Sequence, residues 1–221
     1  MRYILHIADK PYSSWSMRGW LLLHAFGFDF EERLHRLYDP EFDAFRAQMA
    51  PARSVPALEW TDGAERAILW DSLAIAETLA EARPEAGLWP EGATARAAAR
   101  SLAAQMHSGF AALRQAAPMN TRRKGPPLAA SEAVRADLDR LSELWRWARA
   151  GWGAGGPYLF GARFTAADAF FAPVAWRVRG YGLEVDAGSA AYLDALLAHP
   201  SCRRWEADAA ADPRVIARYE N

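Results

Sequence analysis

Tyr3-Ile4-Leu5-His6-Ile7-Ala8, and a few residues later Ser13-Ser14-Trp15-Ser16-Met17-Arg18, are the two stretches whose junction decides how this chain is read. The first is a short apolar run carrying β-branched and aromatic side chains, the composition of a buried strand. The second opens a segment, Ser14–Phe26, whose apolar positions follow a helical period, with serine at the start where a cap belongs. A hydroxyl at such a junction lies beside unpaired backbone N–H groups and the positive end of the helix dipole, so it can help hold an anion. Capping by itself also accounts for a serine pair there.

Working outward, Phe30–Leu37 reads as a second strand and Asp39–Met49 as a polar stretch. Ala57–Trp60 and Arg66–Leu69 flank Thr61-Asp62-Gly63 and read as a hairpin. Asp71–Glu81 follows as a helix, with Leu73, Ile75, Ala76 and Leu79 on its apolar side. This is a β-α-β and then β-β-α unit, an α/β arrangement. Beyond it, Arg83–Pro90 carries two prolines and a glycine and suits a linker. The rest is helical. Leu102, Met106, Phe110 and Leu113 predict one long amphipathic helix, and Leu138, Leu141, Leu144, Trp145 and Ala148 a second. A third starts at Thr165 and a fourth covers Ser189–Ala198. The expected fold class is therefore α/β plus all-α, with residues 1–82, a linker 83–90 and an all-helical part 91–221.

Composition removes several functions. In 221 residues, hydrophobic residues make 52% and charged ones 24%, which is globular rather than disordered. Lys plus Arg, 26, balances Asp plus Glu, 27, so the broad positive field of a nucleic-acid binder is missing and no nucleic-acid partner is expected. No apolar run approaches the roughly 20 residues of a membrane span, so no membrane partner is expected either. The N-terminus lacks a signal-peptide core. With one cysteine, Cys202, there is no internal disulfide, and a cytoplasmic, reducing compartment is the expectation. The five histidines show no metal-ligand spacing, so no metal is expected, and no Walker or dinucleotide glycine pattern occurs.

Two further signals complete a pattern. Val55-Pro56 stands directly before the hairpin, where proline fixes φ and can hold a cis bond that turns the Val55 backbone toward an extended peptide. An ordinary trans turn explains the same dipeptide. Asp71-Ser72 opens the helix after the hairpin, placing a carboxylate and a hydroxyl where the ammonium and carboxylate of an amino-acid head group could both be bound, although capping explains the pair as well.

Serine cluster, Val55-Pro56 and Asp71-Ser72 together resemble the glutathione transferase superfamily across almost the whole chain. Phe160–Asp168 is similar to that family's capping box and hydrophobic staple, with Thr165 capping a buried helix and Asp168 reaching back to it. The resemblance implies a thioredoxin-like domain followed by a helical domain, glutathione as co-substrate, and a homodimer. Within the superfamily, Ser13–Arg18 is most similar to the serine-type motifs of the zeta and tau classes. Alignment on Ser16-x-Arg18 places Ser13 at the catalytic serine, with Ser14 the second candidate. The glutathione-binding set implied is Ser13, Arg53, Ser54, Val55, Pro56, Asp71 and Ser72. Two departures matter. Trp15 stands where zeta-class isomerases carry cysteine, and Arg53-Ser54 differs from the Gly-Lys, Gly-Arg or Gly-Gln of many relatives.

The electrophile is expected between the domains, with Trp15, Met106, His107, Phe110 and Arg114 as pocket candidates; core packing explains Met106 and Phe110 equally, and a solvated face explains His107 and Arg114. Pro118–Lys124 concentrates three positive charges, as a solvated loop or as a mouth attracting anions. Three functions stay open. The first is a glutathione transferase of the detoxification kind, acting on a small hydrophobic electrophile or a peroxide. The second is a glutathione-dependent isomerase or dehalogenase. The third is a catalytically weak dimeric interaction module.

Overall fold

The computed structural model describes residues 1–220. Strand β1 (Arg2–Ala8) is buried on both faces. Tyr3, Leu5 and Ile7 enter the main apolar core, while His6, one residue out of phase, stacks on Phe45 of the opposite layer. Helix α1 (Ser14–His24) leads to β2 (Glu31–His35), parallel to β1. Then come α2 (Pro40–Gln48), the antiparallel hairpin β3 (Ala57–Asp62) and β4 (Glu65–Trp70), and α3 (Ser72–Ala82). The sheet order is β2-β1-β3-β4, with Leu5 opposite Leu58 across β1 and β3. Helices α1 and α3 share the core with Leu5, Ile7 and Leu58, and α2 packs Phe45 and Met49 against Ala57 and Ile68.

The polar stretch at Asp39–Met49 is thus a helix. Asp39 stands at its N-cap, Pro40 in its first turn, and Phe45 and Met49, four residues apart, form its apolar contact. Phe42 packs beside them, and the spacing of these three residues, 3 and then 4, is the helical signal in a stretch otherwise mostly polar.

The helical half holds α4 (Ala93–Ser108), α5 (Ala111–Ala116), α6 (Glu132–Trp152), α7 (Ala166–Tyr181), α8 (Ala187–Ala198) and α9 (Pro200–Ala211). The stripe Leu102–Leu113 does not belong to one helix. The chain breaks at Gly109-Phe110, where Phe110 adopts φ 61, and α5 starts anew with the Leu113 N–H donating to Asp137 Oδ2 (2.9 Å). All four stripe residues still reach the core, which is why periodicity alone does not reveal the break. Helix α9 also lay outside the sequence reading.

Helix α7 is the axis of this half, apolar and buried for most of its length. Its start is the capping box. Asp168 Oδ2 accepts from the Thr165 N–H (2.8 Å) and hydroxyl (2.7 Å), and Oδ1 from the Leu159 N–H (3.2 Å) and the Tyr192 hydroxyl (3.0 Å). One continuous core runs through both halves. The joint takes part in it: Pro84–Ala86 forms a short 3-10 turn, Leu88 and Trp89 are buried, and the Leu88 carbonyl accepts from the Ala166 N–H (2.7 Å). Among the described residues no helix is long and apolar enough to cross a membrane, and no group of three or more His, Cys, Asp or Glu could hold a metal ion.

Candidate active site

Two cavities meet at the start of α1. The larger, of about 510 Å³, lies between the halves; the smaller, of about 220 Å³, lies between α1, the turn before β3, and the start of α3. Trp15, Ser54 and Val55 line both.

Ser13 is the N-cap of α1. Its Oγ accepts from the Ser16 N–H (3.3 Å) and its hydroxyl donates to Ser16 Oγ (2.8 Å), which also accepts from the Ala8 N–H (2.8 Å) and so ties the helix start to the end of β1. Ser14 is bonded differently. Its Oγ accepts from Arg177 Nη2 (3.2 Å), a guanidinium reaching in from α7. Both serines line the larger cavity.

Arg177 is 5% exposed and also donates to the carbonyls of Ala117 and Arg114. Burial, with Arg114 nearby, pushes its guanidinium down to about 10. Arg18, 2% exposed, lies 4.5 Å from the centroid of the Trp15 ring and donates to the Met106 carbonyl (3.5 Å), while its Nε and Nη1 have no partner. Arg114, half-buried on α5, stands 4.6 Å from the same Trp15 centroid and donates to the His107 carbonyl (3.2 Å).

The Val55-Pro56 bond is cis, and β3 begins just after it, at Ala57. Helix α1 approaches this turn so closely that a Cβ at Gly19 would stand 2.5 Å from Pro56 Cβ, a contact only glycine allows. At the head of α3, Asp71 has φ 74, an unusual conformation for a residue with a side chain. Its Oδ1 accepts from the Leu73 N–H (2.8 Å) and its Oδ2 lies 3.2 Å from His107 Nε2. Burial lowers the His107 pKa, with Asp71 opposing. Ser72 is 1% exposed, and its hydroxyl, in the wall of the smaller cavity, has no partner.

The structure brings Ser13, Ser14, Arg53, Ser54 and Val55 to the larger cavity and Ser54, Val55, Pro56, Asp71 and Ser72 to the smaller. Of the pocket candidates, Trp15, His107 and Arg114 line one or both. Met106 and Phe110 line neither; both are buried in the core, where their periodicity also puts them. The loop after α5 is no open cationic mouth. Arg122 donates to the Tyr12 hydroxyl (2.7 Å) and the Arg214 carbonyl (2.6 Å), and Arg123 to the Gly180 carbonyl (2.7 Å). Arg177, Tyr38 and Tyr219 escaped the sequence reading. Helix α7 carries Asp168 and Arg179 as well, so the charge of Arg177 gives no local signal.

Comparison with known proteins gives this geometry its family. The description "Glutathione S-transferase, N-terminal domain" matches residues 12–82, and "Glutathione S-transferase, C-terminal domain" matches residues 93–208. The chain belongs to the glutathione S-transferase family. Among solved structures, a glutathione transferase homolog from Burkholderia gl BGR1 with bound glutathione is similar at 23% identity and TM-score 0.71, over 96% of this chain and 100% of the other. A maleylacetoacetate isomerase from Anaeromyxobacter dehalogenans 2CP-1 with bound GSH is similar at 26% identity and TM-score 0.67, over 96% and 98%. The tau-class transferase of mango, at 19% identity and TM-score 0.69 over 93% and 92%, shares the fold. None of the curated proteins matches the chain by sequence. The transferase fold is thus a thioredoxin-like first domain followed by a helical one.

Proposed function

We propose that this glutathione transferase binds glutathione across the two cavities and uses its thiolate against a small electrophile in the larger one. The observation that carries the reading is the Ser72 hydroxyl, buried and without a partner beside the Asp71 carboxylate at the head of α3. A buried polar group without a partner is costly unless a ligand supplies one. The γ-glutamyl head of glutathione carries the complement, a carboxylate for Ser72 and the helix N-terminus and an ammonium for Asp71. Val55, beside the cis-Pro56 turn, is suited to pair with the extended peptide as a strand would, and Arg53 to meet the glycine carboxylate.

The sulfur would then lie at the start of α1, near Ser13 and Ser14. Arginine only donates hydrogen bonds, so with Arg177 bonded to its oxygen, Ser14 keeps its own proton free for the sulfur, whereas Ser13 must give up its bond to Ser16. These bonds favour Ser14, although family alignment puts the catalytic serine at Ser13. A thiol of pKa about 8.5 is only a few per cent ionised at pH 7, so complete ionisation raises the nucleophile roughly 30-fold. Holding the electrophile against the sulfur supplies the remaining acceleration.

A glutathione-dependent isomerase is the second reading, favoured by the similarity to the Anaeromyxobacter isomerase; Trp15, in place of that class's cysteine, opposes it. A cytoplasmic homodimer in detoxification completes the proposal. Titration with glutathione, followed through quenching of the ten tryptophans, and then a panel of aryl halides, epoxides, peroxides and α-halo acids tests the reading. Binding in the millimolar range or tighter with conjugation of at least one electrophile is expected; no binding at millimolar glutathione leaves the scaffold function.

A further inference from the structure

Away from the larger cavity, among the described residues, the buried cation Lys10 is paired with acids and the buried Asp9 with arginines. Lys10 lies 2.9 Å from Glu32 and 2.7 Å from Asp208, and the fully buried Asp9 receives both Arg36 (3.0 Å) and Arg214 (3.1 Å). The larger cavity differs. Arg53, Arg114 and Arg177 line it, and among the described residues of its wall none is acidic. Arg114 and Arg177 donate only to carbonyls and to Ser14, and behind Trp15 the buried Arg18 leaves two of its nitrogens unpartnered. Asp71, which favours the charged form of Arg18, is itself paired with His107. Guanidinium groups packed together without a counter-charge repel one another and have lost water, so an anion entering the cavity relieves both costs.

We infer that the electrophile carries a carboxylate, seated on Arg114 with Arg177 behind it, in the part of the cavity next to Ser14. This rests on the glutathione reading and names its second substrate. Arg114 hangs from the helical half and lines only the larger cavity, so it stands apart from the Asp71-Ser72 site that suits the glutamyl head of glutathione. Its planar fork matches a carboxylate, and the Trp15 ring, packed against that guanidinium in the wall of the same cavity, holds the fork in place for it. The favoured substrate class is thus a small acid with an electrophilic carbon.

The pair 4-chloro-3-nitrobenzoate and 4-chloro-3-nitrobenzamide differs in charge and little in shape. In both, the sulfur forms a bond to the ring carbon, chloride leaves with the bonding electrons, and the thiol proton passes to solvent. With each kcat/KM divided by the uncatalysed rate, the acid is expected to exceed the amide roughly 10- to 100-fold, the range of one charge-assisted hydrogen-bonded contact. That ratio is expected to collapse toward one in Arg114→Gln, to recover largely in Arg114→Lys, and to shrink with added salt. Equal use of acid and amide by the wild-type protein, or an unchanged ratio in a folded Arg114→Gln, overturns the inference while the glutathione reading stands. If neither compound is conjugated, calorimetric titration of the wild-type protein with the two compounds still decides: the acid binding at least 10-fold more tightly supports the carboxylate site, and equal binding removes it. Failure of glutathione to bind is read separately, by tryptophan quenching. An Arg114→Gln effect equal for acid and amide, with a raised thiol pKa, assigns Arg114 to the thiolate and also overturns the inference.

Discussion

Ser13 and Ser14 are neighbours in the chain, yet one is bonded within its own helix start and the other to a guanidinium from the helical half. Different substitutions should therefore fail differently. Ser14→Ala is expected to lower kcat by up to roughly 30-fold at pH 7 with little change in glutathione affinity, and to move the ascending, acid-side limb of the pH–rate profile to higher pH. Ser13→Ala is expected to cost about 1 kcal/mol of stability through loss of the N-cap, with a smaller effect on turnover. Steady-state kinetics and urea melts on both proteins check this, and a turnover loss confined to Ser13→Ala returns the role to Ser13. Asp71 combines an uncommon backbone angle with a charge opposite His107. Asp71→Asn keeps the cap and removes the charge, so glutathione affinity should fall about tenfold or more while the melting temperature changes little; unchanged glutathione affinity in a folded Asp71→Asn would argue against an ammonium partner here.

At the scale of elements, the approach of α1 to the turn before β3 holds the site together. Gly19 is its contact point, with room for hydrogen alone beside Pro56. Gly19→Ala gains up to about 1 kcal/mol in helix propensity, but overpacking costs about 1–3 kcal/mol, for a net loss of up to about 2 kcal/mol. Because the strain falls on Val55-Pro56, glutathione affinity should drop as well, and calorimetry of the variant with glutathione measures it. Retained affinity in a destabilised variant would show that the peptide does not use this turn. At the head of α7, Asp168 accepts four hydrogen bonds in full burial, so Asp168→Ala leaves several donors unpaired and is expected to destabilise by about 3 kcal/mol or more, read by denaturant unfolding.

One main core runs through the whole molecule, beside the smaller cluster under α2, with α9 and the C-terminal segment folded back on the first domain. Trp205 Nε1 donates to the Lys10 carbonyl (3.0 Å), and the Tyr219 hydroxyl meets that of Tyr38 (2.7 Å) at the larger cavity. Burial depresses all five histidines, His6, His24, His35, His107 and His199, with His35 and His199 pushed down to about 4. The unfolded chain protonates these rings near pH 6.5 and the folded chain resists, His35 and His199 until about 4, so stability should be full above pH 6.5 and fall as pH drops toward 4. Melting temperatures from pH 7 to 4.5 measure the slope, which is expected to be shallower in His35→Gln/His199→Gln. An unchanged slope would place the loss in carboxylates instead. Cys202, fully buried with its thiol pushed up by burial, is expected to react with a thiol reagent only on unfolding.

Strand, hairpin and most helices were legible in the residues because period, caps and turn residues are local properties, as with Tyr3–Ala8, Gly63 and the Thr165–Asp168 box. Ser13, Val55-Pro56 and Asp71-Ser72 were legible as candidates for the same reason, each standing at the start of an element. The break at Gly109-Phe110 was not, since a side chain can keep its apolar period on both sides of a turn. Nor was α2, whose helical spacing rests on Phe42, Phe45 and Met49 in a stretch otherwise mostly polar. Arg177 was beyond reach: its nearest serine precedes it by most of the chain, and only packing of α7 on α1 brings the two together. Local sequence determined which elements form and where their ends offer unpaired groups. The tertiary structure alone decided which charges share a cavity, because burial strips a guanidinium of water and acids only where distant helices close around it.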